Sequence, residues 1–320
     1  MDILVIKLSS YGDIFHALPA VRAVKDKFAA KVDWVTQSEY VDLVRCFSDV
    51  NDVIAFPRHD FFANCLSFRK ALRKKKYDLV LDLHGIFKSA IVAGMADGDR
   101  KIGPSCWREL ATVFYDEVAG GRDLKRHAVD QLLDTAKYLG ADTSVPVFPV
   151  KFPEYKLESG RPRIVIAPCS RWETKNWPLD NFAAVGKALV ETKKASILII
   201  GGPSDNAIGE RLAGLIGPNA VNLCGKLSLP QTGGLLKESD LLISNDSGPV
   251  HMAVAVQTPV VVLFGPTDPV KIGPYSRNSA IITAPVSCQP CGSRRCDTAD
   301  YKCMKNIRPD VVISAALKYL

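Results

Sequence analysis

The segment SNDSGPVHMAVA, residues 244 to 255, brings a carboxylate, two hydroxyls, a glycine and a histidine to the junction between an apolar strand and an apolar helix. A helix that begins there presents unpaired backbone N–H groups and the positive end of its dipole, which suit a diphosphate. We expect Ser247 and Gly248 to approach the phosphates and Asp246 to accept hydrogen bonds from sugar hydroxyls. The alternative is that Asp246 or Ser247 only caps the helix. His251 lies in the same helix, where it either faces the phosphates or packs.

A second candidate group follows the first apolar run, in KLSSYGDIFHALPA, residues 7 to 20. Ser9, Ser10 and Gly12 predict a tight loop, and Asp13 stands at the start of a helix. Taken alone, Asp13 is a good N-cap. A carboxylate at the mouth of one sheet, facing a diphosphate site on another, can also act as a general base toward an acceptor hydroxyl. No G-x-G-x-x-G is found in the chain, so the segment is not a dinucleotide fingerprint.

Two further loops carry residues that suit a diphosphate ligand. In PCSRWETKNWP, residues 168 to 178, Arg171 or Lys175 could neutralise charge that builds up on a leaving diphosphate. The alternative for either residue is a solvated loop charge. LFGPTDP, residues 263 to 269, places Thr267 at another strand end, although turn chemistry alone accounts for its glycine and prolines.

Short β-branched runs alternate with longer amphipathic ones, which predicts βα units and parallel sheets. The predicted helices of the first half include Ile14–Phe28 and Phe61–Lys75, and a C-terminal helix is predicted over residues 309–320. The predicted strands are Ile3–Leu8, Val32–Thr36, Val53–Phe56, Leu79–Leu83, Arg163–Ala167, Ile197–Gly201, Ala220–Leu223, Leu241–Ser244 and Val260–Phe264.

The alternation breaks around residues 146 to 163, where four prolines disfavour any long helix or central strand. This break predicts an N-terminal domain over residues 1–155 and a C-terminal domain over residues 156–320. Each would be a doubly wound α/β domain, and ligands of such sheets bind at the carboxyl ends of the strands. We therefore expect the two domains to face one cleft, with the C-terminal helix as an element that could pack back on the first domain.

Composition excludes several classes of protein. The chain has 320 residues, 47% of them hydrophobic and 23% charged, with a net charge of +7 whose excess lies in the C-terminal half. No apolar run approaches the roughly 20 residues that span a bilayer. The N-terminus has neither a basic region nor a small-residue cleavage site, so we expect a cytoplasmic protein. The nine cysteines are then expected to be reduced thiols.

Two clusters admit a functional and an ordinary interpretation. Four cysteines, Cys288, Cys291, Cys296 and Cys303, follow the spacing C-x2-C-x4-C-x6-C, which fits no standard zinc motif and is surrounded by basic residues. We expect a basic, reduced loop without metal, while a structural metal or disulfide stays open. Six Lys/Arg residues between Arg69 and Lys76 are either a solvated helix face or a surface that attracts an anionic membrane.

Together these segments resemble the lipopolysaccharide heptosyltransferases of glycosyltransferase family 9. The resemblance spans almost the whole chain. It is carried by KLSSYGDIFHALPAVRAVK, DLVLDLHGIFKSA, SRWETKNWP, GGPSD and, above all, LCGKLSLPQTGGLLKESDLLISNDSGPVHMAVAVQTPVVVLFGPTDP. The cysteine segment with CMKNI looks like the second heptosyltransferase subgroup, whereas the N-terminus is equally similar to the first.

The resemblance implies a GT-B fold, with acceptor binding in the first Rossmann-like domain and nucleotide-sugar binding in the second. It implies an inverting transfer of heptose from ADP-L-glycero-D-manno-heptose to an inner-core Kdo or heptose, with no cofactor, catalytic metal or nucleic-acid partner. Asp13 would be the catalytic base and Lys175 would assist at the leaving group. The implied donor-binding residues are Ser170, Arg171, Asp246, Ser247, Gly248, His251 and Thr267.

A lipid-linked acceptor of the Kdo-lipid A type would also bring the protein into peripheral contact with the cytoplasmic face of the inner membrane. Two other functions are compatible with the residues: a GT-B enzyme that uses another nucleotide sugar, and a non-catalytic protein that binds a nucleotide sugar. An oxidoreductase is disfavoured because the glycine fingerprint is missing.

Overall fold

A computed structural model describes residues 1–156 and 160–320 of the chain. The expected linker, residues 146 to 163, includes positions 157–159, which lie outside the described residues. The described chain divides into two compact units, Met1–Lys151 and Phe152–Leu320. Each unit contains one six-stranded sheet, in which the pairs of neighbouring strands are all parallel.

In the first unit the strands lie in the order β3-β2-β1-β4-β5-β6. The strands are β1 (Asp2–Ile6), β2 (Lys31–Gln37), β3 (Val50–Phe56), β4 (Leu79–Asp82), β5 (Lys101–Pro104) and β6 (Glu117–Ala119). The helices are α1 (Tyr11–His16), α2 (Leu18–Phe28), α3 (Val41–Val44), α4 (Phe61–Leu72), α5 (Phe87–Met95) and α6 (Ala128–Tyr138).

In the second unit the order is β12-β11-β10-β7-β8-β9. The strands are β7 (Arg163–Ala167), β8 (Ser196–Ile199), β9 (Ala220–Asn222), β10 (Leu241–Asn245), β11 (Val260–Phe264) and β12 (Ser279–Thr283). The helices are α7 (Leu179–Lys193), α8 (Asn206–Ile216), α9 (Leu229–Lys237), α10 (Gly248–Ala255), α11 (Pro269–Ile272), α12 (Lys302–Lys305) and α13 (Pro309–Ala316).

The two sheets have the same topology, since numbering the strands from the start of each unit gives the order 3-2-1-4-5-6 in both. This is the doubly wound arrangement that the alternating pattern predicts, and the predicted α/β class is confirmed. The strand order reverses between β1 and β4 in the first unit and between β7 and β10 in the second. Loops at these switch points open a crevice at the carboxyl edge of the sheet, where ligands of such folds bind.

The central strands are largely apolar because helices cover both faces of each sheet. Every residue of β4, β10 and β11 is buried. In the second unit, Ile166, Ile243 and Leu263 are fully buried in one cluster with residues of α7, α8 and α13. These strands fix the positions at which the loops of the switch points begin.

The structure corrects several element boundaries. The single helix predicted over Ile14–Phe28 is two helices, because Pro19 near the start of α2 lacks the N–H that a continuous helix would need. The helix predicted over Phe61–Lys75 ends at Leu72. Strands β5, β6 and β12 were not predicted. The C-terminal helix ends at Ala316, and it buries Val312 and Ala316 in the core of the second unit.

Candidate functional site

Asp13 lies at the switch point of the first unit, in the helix that follows β1. It is the third residue of α1, and the N-cap position is taken by Ser10. The backbone N–H and the hydroxyl of Ser10 both donate to Asp13 Oδ2, at 3.2 and 2.6 Å. One carboxylate oxygen therefore supports the start of the helix, as in a capping box. The Asp13 side chain remains half exposed, so its other oxygen can meet a ligand.

Positive charge surrounds Asp13. His16 Nδ1 lies 3.8 Å from Asp13 Oδ1. The partial burial of Asp13 would by itself raise its pKa, but the charges of His16 and Lys7 and the hydrogen bonds from Ser10 outweigh this effect and hold the pKa well below its usual range. Asp13 is consequently a carboxylate at neutral pH, the form that a general base requires.

Lys7 and His84 form the second layer of this site, and neither was predicted as a functional residue. Lys7 is only 8% exposed, and its ammonium group donates to the Leu83 carbonyl at 2.8 Å, which links the end of β1 to the end of β4. His84 Nδ1 accepts from the Leu8 N–H at 3.2 Å. Burial and the Lys7 charge lower the pKa of His84 to about 3, so this imidazole stays neutral.

The loop after β4 is shaped by Asp82. Its Oδ1 accepts from the N–H groups of His84 and Gly85, at 2.8 and 3.1 Å. Gly85 has a φ of +74°, a left-handed conformation that favours glycine, and an added Cβ would lie 2.7 Å from Pro104. This turn fixes the position of His84 beside the loop that carries Asp13.

At the switch point of the second unit, three predicted residues meet. Lys175 Nζ donates to Asp246 Oδ2 at 2.6 Å, and Thr267 Oγ1 donates to the same oxygen at 2.6 Å. The side chains of Lys175 and Asp246 are 14% and 6% exposed. The loops after β7, β10 and β11 thus contribute one residue each to a single charged cluster, which we call the Lys175 cluster.

Two residues that were not predicted surround the Lys175 cluster. The Lys175 ammonium group lies 4.6 Å from the centre of the Trp172 ring, and the Arg294 guanidinium lies 5.0 Å from the same ring. Thr174 Oγ1 donates to the Ser293 carbonyl at 3.1 Å, which attaches the cysteine-rich segment to the loop after β7. Two cations therefore lie near one aromatic ring beside Asp246.

Asn245, the last residue of β10, positions the loop after β7. Its Oδ1 accepts from the Trp177 N–H at 3.1 Å, and its Nδ2 donates to the Pro168 carbonyl at 2.6 Å. Within the same loop, the Ser170 hydroxyl lies within hydrogen-bond distance of the Trp172 carbonyl and of Asn176 Oδ1, at 2.9 and 3.0 Å. These contacts place the loop that carries Lys175 beside Asp246.

Ser247 is the N-cap residue of α10, but among the described residues no side chain caps this helix. The Ser247 hydroxyl shares a 3.0 Å hydrogen bond with the Ser244 hydroxyl instead. Gly248 and Pro249 begin the first turn, directly after Ser247. Pro249 has no N–H and the Val250 N–H donates to the Ser247 carbonyl at 3.1 Å, so the N–H groups of Ser247 and Gly248 are the candidates for an anionic ligand. His251 is buried in the same helix, 8% exposed.

Arg171 differs from the other predicted donor residues. It is exposed in the loop after β7. Within residues 1–156 and 160–320 it takes part in none of the ion pairs of the second unit.

The cysteine-rich segment lies close to the Lys175 cluster. All nine cysteines of the chain are free. A Cβ on Gly265 would lie 2.5 Å from Met304 Sδ and 3.2 Å from Cys303 Sγ, which shows how closely α12 approaches the loop after β11. Burial and the thiols of Cys288, Cys291 and Cys296 raise the pKa of Cys303. Among the described residues, no three His, Cys, Asp or Glu side chains are arranged to hold a metal ion.

In the described part of the chain, no helix is both long and apolar enough to traverse a lipid bilayer.

Comparisons with known proteins agree with this geometry. Residues 65–302 match the sequence profile of glycosyltransferase family 9 (heptosyltransferase). Lipopolysaccharide heptosyltransferase 1 of Salmonella typhimurium is 28% identical over 303 residues, which cover 89% of this chain and 95% of that protein. Lipooligosaccharide heptosyltransferase 2 of Campylobacter jejuni is 26% identical over 322 residues, which cover 96% of this chain and 95% of that protein. The E. coli heptosyltransferase WaaC, solved with ADP, superposes with a TM-score of 0.84 at 25% identity and full coverage of both chains.

Proposed function

Because the chain belongs to glycosyltransferase family 9, the heptosyltransferases, we propose that it transfers heptose from ADP-L-glycero-D-manno-heptose to the lipopolysaccharide inner core. Family membership and the match to WaaC make it a GT-B heptosyltransferase of the lipopolysaccharide core. The donor, the acceptor and the roles of individual residues are the content of the proposal. One observation carries it: Lys175 and Thr267 both donate to Oδ2 of Asp246, beside the start of α10, which no described side chain caps.

The donor is proposed to bind at the switch point of the second unit. Backbone N–H groups at Ser247 and Gly248, with the dipole of α10, suit the diphosphate. Lys175 supplies a positive charge, and Asp246 offers its second oxygen to sugar hydroxyls. His251, Thr267, Ser170 and Arg171 complete the proposed donor site, the first two from buried positions. The WaaC structure that superposes on this chain contains ADP, which agrees with an adenine nucleotide as the carrier.

The proposed reaction is a single displacement with inversion. Asp13 accepts the proton of an acceptor hydroxyl as that oxygen forms a bond to the anomeric carbon of the heptose. The bond between the anomeric carbon and the diphosphate oxygen breaks, and its electron pair leaves with ADP. Lys175 and the α10 N–H groups stabilise the charge on the leaving diphosphate, the task that a divalent cation performs in other enzymes. The transfer is therefore proposed to need no metal.

The acceptor is proposed to be a Kdo or heptose of a Kdo-lipid A type molecule, bound by the first domain near Asp13. Such an acceptor places the enzyme in the cytoplasm, in peripheral contact with the inner membrane. The domain boundary is proposed at residues 155 and 156, with the segment around it as the hinge for closure over the donor. Relatives that carry the names heptosyltransferase 1 and heptosyltransferase 2 match at similar identity, so both acceptors belong in the test.

The experiment measures ADP release from ADP-heptose with Kdo-lipid A, with its monoheptosylated form, or with no acceptor. Each reaction is run with and without EDTA, and with Asp13→Asn beside the wild type. Asp142→Asn, which changes an exposed loop carboxylate, is the matched control. We expect acceptor-dependent release that survives EDTA, persists in the control and falls by about 10²- to 10⁴-fold in Asp13→Asn.

Each part of the proposal fails on a different result. Loss of release in EDTA overturns the metal-independent mechanism, and full activity of Asp13→Asn overturns its role as the base. Release with a different nucleotide sugar but not with ADP-heptose overturns the donor assignment. The acceptor that supports release identifies which position of the core is filled.

A further inference from the structure

The outward face of α4 carries two unusually exposed apolar side chains. Phe62 is 95% exposed and Leu66 is 81% exposed, the highest values among the large apolar side chains of the described residues. Both are four residues apart in a regular helix, so they lie on the same face. Neighbouring exposed apolar side chains often mark an interaction surface, whereas single exposed apolar side chains are common on any protein.

The exposure does not come from a loosely attached helix. On its opposite face α4 buries Phe68 and Leu72, which are 4% and 0% exposed and belong to the core of the first unit. Phe61 stacks on Phe56 of β3 with ring centres 5.5 Å apart. The sheet therefore holds α4 in place with Phe62 and Leu66 directed away from the core.

The same face of α4 also carries basic side chains. Successive residues of an α-helix are about 100° apart, which puts Arg69 and Arg73 within one sector with Phe62 and Leu66, and Lys70 at its border. No acidic residue occurs from Phe61 to Tyr77.

Two of the cations on this face are free. Arg73 pairs with Asp97 at 3.7 Å, and beyond the helix Lys75 and Lys76 pair with Asp33 and Asp99. In contrast, Arg69 and Lys70 are exposed and form no ion pair within the described chain. The free charges are therefore available to a partner.

We propose that this face of α4, which we call the α4 patch (Phe62, Leu66, Arg69 and Lys70), docks on the surface of an anionic lipid bilayer. Apolar side chains beside basic ones on one helix face are the arrangement that inserts rings and aliphatic chains below anionic headgroups. A second copy of the chain is a poor occupant, because a two-fold contact of the patch with itself would bring its cations together.

Docking by the α4 patch rests on the proposed function, whose peripheral membrane contact it deepens by naming the surface that makes this contact. It makes the membrane a second ligand, bound by the first unit, and it brings the enzyme to a lipid-anchored acceptor. The inference rests on exposure and charge, so it can be tested without any donor or acceptor.

The test is sedimentation of the full chain with vesicles of phosphatidylcholine alone, or with one quarter phosphatidylglycerol, at 0.1 M and 0.5 M NaCl. The charge variant is Arg69→Gln with Lys70→Gln. Its control removes the same charge elsewhere, by Lys187→Gln with Lys237→Gln, both exposed in the second unit. The apolar variant is Phe62→Ser with Leu66→Ser, and Val145→Ser, which is 77% exposed, is its control.

We expect the wild type to bind anionic vesicles and to be released by high salt, because salt screens the attraction between the basic side chains and the anionic headgroups. Each basic residue removed from the patch should weaken binding about fivefold. The apolar variant should weaken it at least about tenfold, since two large side chains no longer enter the lipid. Both controls should bind like the wild type.

Equal loss in patch and control variants, or equal binding to neutral vesicles, overturns the docking. A change in oligomeric state of the patch variants in lipid-free solution assigns the face to a protein partner and also overturns it. ADP release with a delipidated core acceptor is measured in parallel. Patch variants should retain it, so a failure of the sugar transfer and a failure of the docking give different results.

Discussion

Lys175→Met offers the sharpest test of the Lys175 cluster. The substitution keeps a long, flexible side chain but removes the positive charge that lies 2.6 Å from Asp246 Oδ2. Asp246 is 6% exposed and would retain one donor to that oxygen, the Thr267 hydroxyl. The variant therefore leaves a buried carboxylate without its counter-charge.

The size of the effect on stability follows from that burial. Removing one partner of a buried ion pair typically costs about 3–5 kcal/mol, and the 14% exposure of Lys175 favours the lower end. For a unit of this size, about 3 kcal/mol corresponds to a fall in Tm of roughly 6–12 °C. The effect on catalysis is separate: loss of one preorganised donor at the leaving group should lower kcat by about 10²- to 10³-fold.

A double variant separates the two effects. Adding Asp246→Asn to Lys175→Met removes the unpaired charge, so the Tm should recover much of its loss while the rate of ADP release stays low. The measurements are thermal unfolding by circular dichroism and initial rates of ADP release at a temperature where all variants are folded. A Tm for Lys175→Met within 1 °C of the wild type would refute the buried-pair argument. Recovery of activity in the double variant would refute the role of Lys175 at the diphosphate.

Three other predictions follow from the site. Because the pKa of Asp13 is held below its usual range, the acid limb of kcat/KM between pH 5 and 7 should not arise from Asp13; a limb that shifts in Asp13→Glu would contradict this. The unfolded chain protonates His84 near its ordinary pKa of 6.5 and the folded chain only near pH 3. The free energy of unfolding should therefore fall as pH drops below 6.5, by at most about 1.4 kcal/mol per pH unit, and urea titrations of His84→Asn should show a shallower fall. Arg294→Gln should raise the KM for the donor several-fold with little change in Tm, and an unchanged KM would exclude Arg294 from the donor site.

The fold was predictable wherever a strand is a continuous apolar run. Arg163–Ala167 and Val260–Phe264 were predicted to the residue, because both are interior strands of a sheet that is covered on both faces. The strand Lys101–Pro104 was not predicted. It has four residues, including a glycine and a proline, so its extended form depends on pairing with β4 and β6 rather than on its own composition.

The candidate site was predictable only where its residues are close in sequence to a strand end. Lys175, Asp246 and Thr267 each follow a predicted strand, so the topology of a parallel sheet brings them together. The contact of Trp172 with Arg294 joins residues 122 positions apart, and no local spacing encodes it. Lys7 was not predicted as a site residue because it was assigned to the first predicted strand. Its burial depends on the contact of its ammonium group with the Leu83 carbonyl at the end of β4, which the sequence around Lys7 does not show.

The repeated strand order has a consequence for how such an enzyme can diversify. Each unit completes its sheet with its own six strands, and each has its own switch point, so neither borrows a backbone hydrogen bond from a strand of the other. Exchanges in the loops after β1 and β4 can thus accumulate without repacking the strands that carry Lys175 and Asp246. During evolution, substitutions in one unit can therefore change which ligand that unit binds, while the binding site of the other unit stays unaltered.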